Sequence, residues 1–145
     1  MRVLLTTFDE VYKLYRRLVK GVESYSLPQS IEEQMELIEI GVLLFNRKRE
    51  NHEIVCEIGS ETVSTKDGER LSDNELLLLA YCMVLQTYID MLTELTSMLS
   101  MATKDSALKD YKGQASVRRQ QVKDQEALIN NLVFSMSVFD EDEEV

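Results

Sequence analysis

Tryptophan is absent from this 145-residue chain, proline and histidine occur once each, cysteine twice and glycine five times. Each scarcity removes a class of explanation. So little glycine and proline excludes a many-stranded, turn-rich β protein, whose turns need both residues. No Walker loop, GxGxxG, HExxH or EF-hand spacing occurs, so no phosphate, dinucleotide, zinc or calcium site has a motif behind it. The single histidine, His52, sits between Asn51 and Glu53 with no nucleophile pattern around any serine or cysteine, which leaves a catalytic triad unsupported. Cys56 and Cys82 are 26 positions apart without CxxC spacing, and are expected to be reduced, small core hydrophobes. The opening Met1-Arg2-Val3-Leu4-Leu5-Thr6-Thr7 is too short an apolar stretch for a secretory signal. The apolar run from Leu76 to Ile89 is 14 residues long, interrupted by Gln86 and followed by Asp90 and Glu94. A membrane-spanning helix needs about 20, so none is expected.

What is present favours helices. Leu, Glu, Lys, Gln and Met dominate, the straight-chain residues that lose least rotamer freedom in a helix. The length suits a single helical domain over residues 1–134, with residues 135–145 as an acidic C-terminal extension. The formal charge is −10, half of it in Asp140-Glu141-Asp142-Glu143-Glu144. From Lys104 to Lys123 the balance reverses, with six basic residues against Asp105 and Asp110. A basic stretch and an acidic tail on one molecule suit neighbour-to-neighbour contact, or else a solvated face and a solubilising tail.

Thr7-Phe8-Asp9-Glu10 has the form of a capping box, and Val11, Tyr12, Tyr15, Leu18, Val19 and Val22 follow at helical spacing. The pattern predicts a first amphipathic helix over 8–23. Pro28 breaks the chain before a second capping box, Ser30-Ile31-Glu32-Glu33, and a helix from 31 to about 46. Its core face is expected to be Ile31, Met35, Ile38, Val42 and Phe45, widened by Leu37, Ile40, Leu43 and Leu44. Arg47-Lys48-Arg49 suits its C-terminus, where cations complement the helix dipole. Ile54, Cys56 and Ile58 then alternate with Glu53, Val55 and Glu57. Gly59-Ser60 offers a two-residue turn, and Asp67-Gly68 a second turn. A small β-hairpin is expected there, with an irregular loop as the alternative.

The dominant signal runs from Leu71 to Thr103. Ser72 or Asp73 caps a helix of about 30 residues, some 45 Å long, that opens Leu76-Leu77-Leu78-Leu79-Ala80 and is apolar on most faces. Met83, Met91, Met98 and Met101 read as adaptable packing, and Leu92 as deep core. A helix this apolar must be covered on most sides, and the rest of the chain looks too short to do so. Copies of the chain are therefore expected to cover one another. Thr103 to Gly113 reads as a polar connection into a last helix over Ser116–Phe134, polar in its first half and apolar at Leu128, Ile129, Leu132, Val133 and Met136. The fold class expected is mainly α, a helical bundle around one long central helix.

No enzymatic activity, cofactor or metal is expected. Glu32, Glu33, Glu36 and Glu39 would hold only counter-ions, and paired carboxylates for acid–base work need two different environments. Arg118, Arg119, Lys112 and Lys123 offer phosphate contacts, but Tyr111 is the only interleaved aromatic and the molecule as a whole repels DNA. The residues expected to meet another subunit or partner are Arg118, Arg119 and Lys123 on the last helix, with Val138, Phe139, Asp140, Glu141 and Asp142 beyond it.

The order of elements resembles a known family. A leading helix with Thr7-Phe8-Asp9-Glu10-Val11-Tyr12 precedes one ending Leu43-Leu44-Phe45-Asn46. A short excursion leads into Leu71-Ser72-Asp73-Asn74-Glu75 and the leucine run through Met83, then Thr103-Lys104-Asp105 connects to Ser116 and the closing helix Val117–Val133. This arrangement, from about Thr7 to Phe134, is similar to the small helical neck proteins of tailed bacteriophages, the head–tail connectors or adaptors beneath the portal. The chain departs from that pattern in having Val84-Leu85-Gln86 where aromatics follow Met83, and in its acidic tail. The resemblance implies a virion structural protein assembled in the host cytoplasm, forming a homo-oligomeric ring, a dodecamer matching the portal. Its partners would be the portal and neighbouring neck or tail proteins, with DNA passing nonspecifically through the channel and no membrane involved. Two other classes compete: a soluble acidic regulator or inhibitor of a DNA-binding enzyme, and a phage assembly chaperone that leaves the finished particle.

Overall fold

A computed structural model describes residues 4–101 and 105–143, with side chains described for 4–98 and 112–138. It is mainly helical. The elements are β1 (Thr6–Thr7), α1 (Phe8–Leu18), α2 (Ile31–Lys48), β2 (Ile54–Glu57), β3 (Thr62–Thr65), α3 (Asp73–Met101) and α4 (Asp105–Glu143). A short 3₁₀ turn, Ser24–Ser26, lies between α1 and α2. α3 forms the centre of the bundle, and α1, α2 and α4 pack around it.

The helix starts follow from their caps. Thr7 Oγ1 accepts from the Glu10 amide at 3.2 Å, and Ser30 Oγ from that of Glu33 at 3.2 Å. The reciprocal half of these two boxes is altered. Glu33 reaches back to the Gln29 amide at 2.6 Å, and Glu10 turns to the Arg70 guanidinium instead. Ahead of α3 the box is complete: Ser72 Oγ accepts from the Glu75 amide at 3.2 Å, and the Ser72 amide donates to Glu75 Oε1 at 2.9 Å.

α1 ends at Leu18 rather than near residue 23. The reason lies in α3: the Tyr88 hydroxyl accepts from the Lys20 amide at 3.2 Å and donates to the Lys20 carbonyl at 3.1 Å. These bonds take the backbone groups that a further helical turn would use. Gly21 then turns the chain at φ +65°, a conformation that costs glycine little. The buried Tyr15 hydroxyl shares a 2.6 Å hydrogen bond with Thr87 Oγ1, so α1 is held to α3 by two tyrosines.

The excursion after α2 is a three-stranded antiparallel sheet, ordered β1-β3-β2, rather than a hairpin alone. Thr6 and Thr7, too short a pair to read as a strand, supply the third member. The hairpin turn spans Ile58–Glu61: the Glu61 amide donates to the Ile58 carbonyl at 3.2 Å, and Glu61 itself takes φ 54°. The loop is thus four residues long, not two, which leaves Ile58 exposed. Asp67-Gly68 turns as expected, with Gly68 at φ 80°. Asn46 fastens the sheet to α2, accepting from the Ile54 amide at 2.8 Å and donating to its carbonyl at 3.0 Å. Arg47 and Lys48 occupy the last turn of α2, but Arg49, the C-cap, is buried rather than solvated.

Two larger differences concern α4. Its 39 residues run unbroken where a polar connection to about residue 113 was expected, so Gly113 sits inside a helix. One glycine costs a helix about 1 kcal/mol, too little to end one this long. At the other end residues 135–143, set apart by composition as an acidic extension, continue the same helix. At 1.5 Å per residue α4 is about 58 Å long, against about 43 Å for α3.

That length alters the account of the core. α4 runs antiparallel along α3, and Ala115, Gln125, Ile129 and Met136 are buried. Gln125 donates to the Tyr81 carbonyl at 3.1 Å, so the half of α4 expected to lack a role is packed on the bundle. On α3, Leu78, Leu79, Ala80, Cys82, Met83 and Val84 are all buried within one chain. The central helix therefore does not need other copies to cover it. Leu92 is half-buried rather than deep, and Met98, near the far end, is exposed. By length and composition Asp73–Met98 would suffice to cross a membrane, so the shortness of the Leu76–Ile89 run is not the relevant measure. More than half of an 18-residue apolar window within it is buried, and α1, α2 and α4 pack against the helix.

Candidate subunit interface

With much of α3 covered, exposed apolar side chains remain at several places, Leu4, Tyr25 and Val55 among them, and on α4 and α2 they fall into rows along the outer sides. On α4 the buried residues Gln125, Ile129 and Met136, with the half-buried Leu132, mark the inner side. Lys123, Ala127, Phe134 and Val138 follow one another at four, seven and four residues and so share the opposite side. Phe134 is 72% exposed and Val138 45%. An aromatic ring displayed to this degree on the outside of a well-packed helix has no role in the fold, and apolar surface of this kind marks interaction sites when it is contiguous.

α2 presents a comparable row. Leu37, Ile38, Gly41, Val42 and Phe45 face inward. Glu32, Glu36, Ile40, Leu43 and Arg47 recur at four, four, three and four residues along the outer side. Leu43 is 60% exposed and Ile40 37%. Both had the spacing of core positions, but the inward stripe is centred one residue away.

The residues expected to meet a partner separate into three groups. Arg118 is committed within the subunit: its Nη1 donates to the Gly21 carbonyl at 2.6 Å and to Gln121 Oε1 at 2.8 Å, which ties α4 to the turn after α1. Arg119 and Lys123 are exposed, and Val138 lies beside them on the outer row. Phe139, Asp140, Glu141 and Asp142 continue α4, and their side chains lie outside the described residues. Phe134, Leu43 and Ile40 were missed.

Chemistry elsewhere is sparse. A cleft of about 240 Å³ between the 25–28 segment, α2 and α3 is lined in part by Glu33, Glu36 and Asp90. These carboxylates point to no acid–base pair: Glu33 caps α2, and Asp90 accepts from Gln86 at 2.8 Å. Among the described residues no group of three His, Cys, Asp or Glu is placed to hold a metal ion. Both thiols are free. Burial pushes Cys82 up to about 12, and burial with the nearby Glu39 charge pushes Cys56 up to about 11, so neither is a nucleophile at neutral pH.

A family model described as YomZ prophage protein matches residues 5–138. The chain belongs to the YomZ prophage protein family. The match takes in every element from β1 through the outer row on α4, so the fold and both exposed rows lie inside the family's span. Membership establishes a phage origin. The chain matches no curated protein and no solved structure.

Proposed function

We propose that this YomZ-family chain is a non-catalytic structural subunit of the phage particle, forming a ring at the head–tail junction beneath the portal. The observation that carries the reading is the outer row of α4, where Phe134 and Val138 are displayed on a molecule whose core is already complete. Such a row serves contact with another protein rather than folding. Phage origin supplies the setting in which repeated contact between identical subunits has a use, and contacts between unlike faces of identical subunits close into rings. A net charge of −10 suits a channel lining along which DNA slides without sticking. In this reading the portal and neck or tail proteins are partners, no membrane is involved, and the chain resides in the virion.

Immunogold labelling and mass spectrometry of purified particles test the proposal. A connector is expected as a fixed multiple of the particle count, located at the neck. Its absence from finished particles would remove the connector reading and leave an assembly chaperone. Presence in the head shell or tail tip would refute the neck position.

A further inference from the structure

Resting on the ring reading, we infer that the outer face of α4 in one copy packs in parallel on the outer face of α2 in the next. The argument is one of matching order. Along α2 the outer row passes from acid (Glu32, Glu36) through apolar (Ile40, Leu43) to base (Arg47). Along α4 it passes from base (Lys123) to apolar (Ala127, Phe134, Val138), with the acids Glu141 and Asp142 following in the sequence. Set side by side in the same direction, Glu32 meets Lys123 and Leu43 meets Phe134. Run antiparallel, the basic end of each row would face the other.

The spacing matches as well. Glu32 to Leu43 and Lys123 to Phe134 are each eleven residues, about 16 Å of helix. Aligning Lys123 with Glu32 therefore puts Phe134 against Leu43 and Val138 beside Arg47. Rows built from steps of three, four and seven residues keep to one helix face, as two parallel helices in contact over several turns require. These charges are also available: among the described residues Glu32, Glu36, Arg47 and Lys123 take part in no ion pair.

Within one subunit Lys48 Nζ donates to Asn130 Oδ1 at 3.3 Å, yet every residue of both rows remains exposed. A contact between them joins different copies and is head-to-tail. It leaves one free α2 face and one free α4 face at the ends of any open chain, the condition for ring closure.

Sedimentation velocity and native mass spectrometry on the full chain test this with Leu43→Asp and Phe134→Asp, both at exposed positions where folding is undisturbed. Wild type is expected to form a closed oligomer. Each variant alone is expected to lose association by about tenfold or more. An equimolar mixture of the two is expected to form a one-to-one dimer and nothing larger, since one intact face of each kind remains. Glu32→Lys is expected to weaken association, and Lys123→Glu in the same chain to restore it. A monomeric wild type, an oligomer indifferent to both aspartates, or disruption by Phe134→Asp alone would overturn the contact. The two proposals can fail separately. Particles that carry a wild-type ring unaffected by Leu43→Asp would remove this contact and keep the connector. A ring that follows these rules in solution yet is missing from particles would do the reverse.

Discussion

Single side chains in this molecule act mostly as fasteners. Tyr88 ends α1 by taking both backbone groups of Lys20, Asn46 does the same for Ile54, and Arg118 holds the Gly21 carbonyl. The pairing of Arg70 with Glu10 ties the approach to α3 to the first turn of α1. Hydrogen bonding and the Arg70 charge hold the Glu10 carboxyl below its ordinary value of 4.5. A depressed carboxyl stabilises the fold above its unfolded pKa, and that contribution disappears as pH falls through the folded value. Acid titration of thermal stability is therefore expected to show a shallower loss below pH 4.5 in Arg70→Ala than in wild type. Because the pair is exposed, the difference should shrink in high salt. Equal slopes at low salt would show that the pair contributes nothing.

Helices obey their local rules where caps and periods are strong, and escape them where tertiary contact intervenes. The bounds of α2 and the start of α3 were legible because Ser30 and Ser72 cap them, but Ile31, Ile40 and Leu43 of the expected α2 core face are exposed. The end of α1 was not legible, since its stop signal lies 68 positions away in Tyr88. β1 was invisible as a two-residue strand whose pairing depends on β3. α4 was misread because Gly113 and a polar composition resemble a loop, although helix formers surround that glycine. Gly113 and Gly41 accordingly predict opposite outcomes. A Cβ at Gly113 meets nothing within 4 Å, so Gly113→Ala is expected to raise stability by about 0.5–1 kcal/mol in chemical denaturation. A Cβ at Gly41 would lie 2.7 Å from Met83 Cγ and 3.2 Å from Leu79 Cδ1, where α2 crosses α3. Overpacking of about 1–3 kcal/mol should outweigh the helix gain there, and Gly41→Ala is expected to lower the denaturation midpoint. A stabilised Gly41→Ala would mean that Met83 moves aside without cost.

At the scale of the molecule, α4 is long enough to cover much of the central apolar helix within one chain, so that helix does not by itself call for other copies. The candidate interface was legible only in part. Arg119, Lys123 and Val138 stand on the outer row, Arg118 serves the fold, Leu43 had been counted with the core, and Phe134 had been given no role. The acidic end of α4 remains the segment best suited to a partner outside the subunit. Deleting Asp140–Val145 is expected to leave the helical circular dichroism and melting temperature of the bundle close to wild type, since Met136 is the last residue seen to pack on it. Incorporation into particles should fall. Normal incorporation would show that this end has no part in docking.

Gly41 also bears on shape. Where a single hydrogen atom lets two helix axes come together, it sets the tilt at which α2 presents its outer side. In a closed circle of subunits each joint repeats that tilt, so an error of a few degrees accumulates until the last gap no longer shuts. A methyl group at this crossing would thus be felt twice, once as lost stability and again as circles that open into spirals or close at a different number.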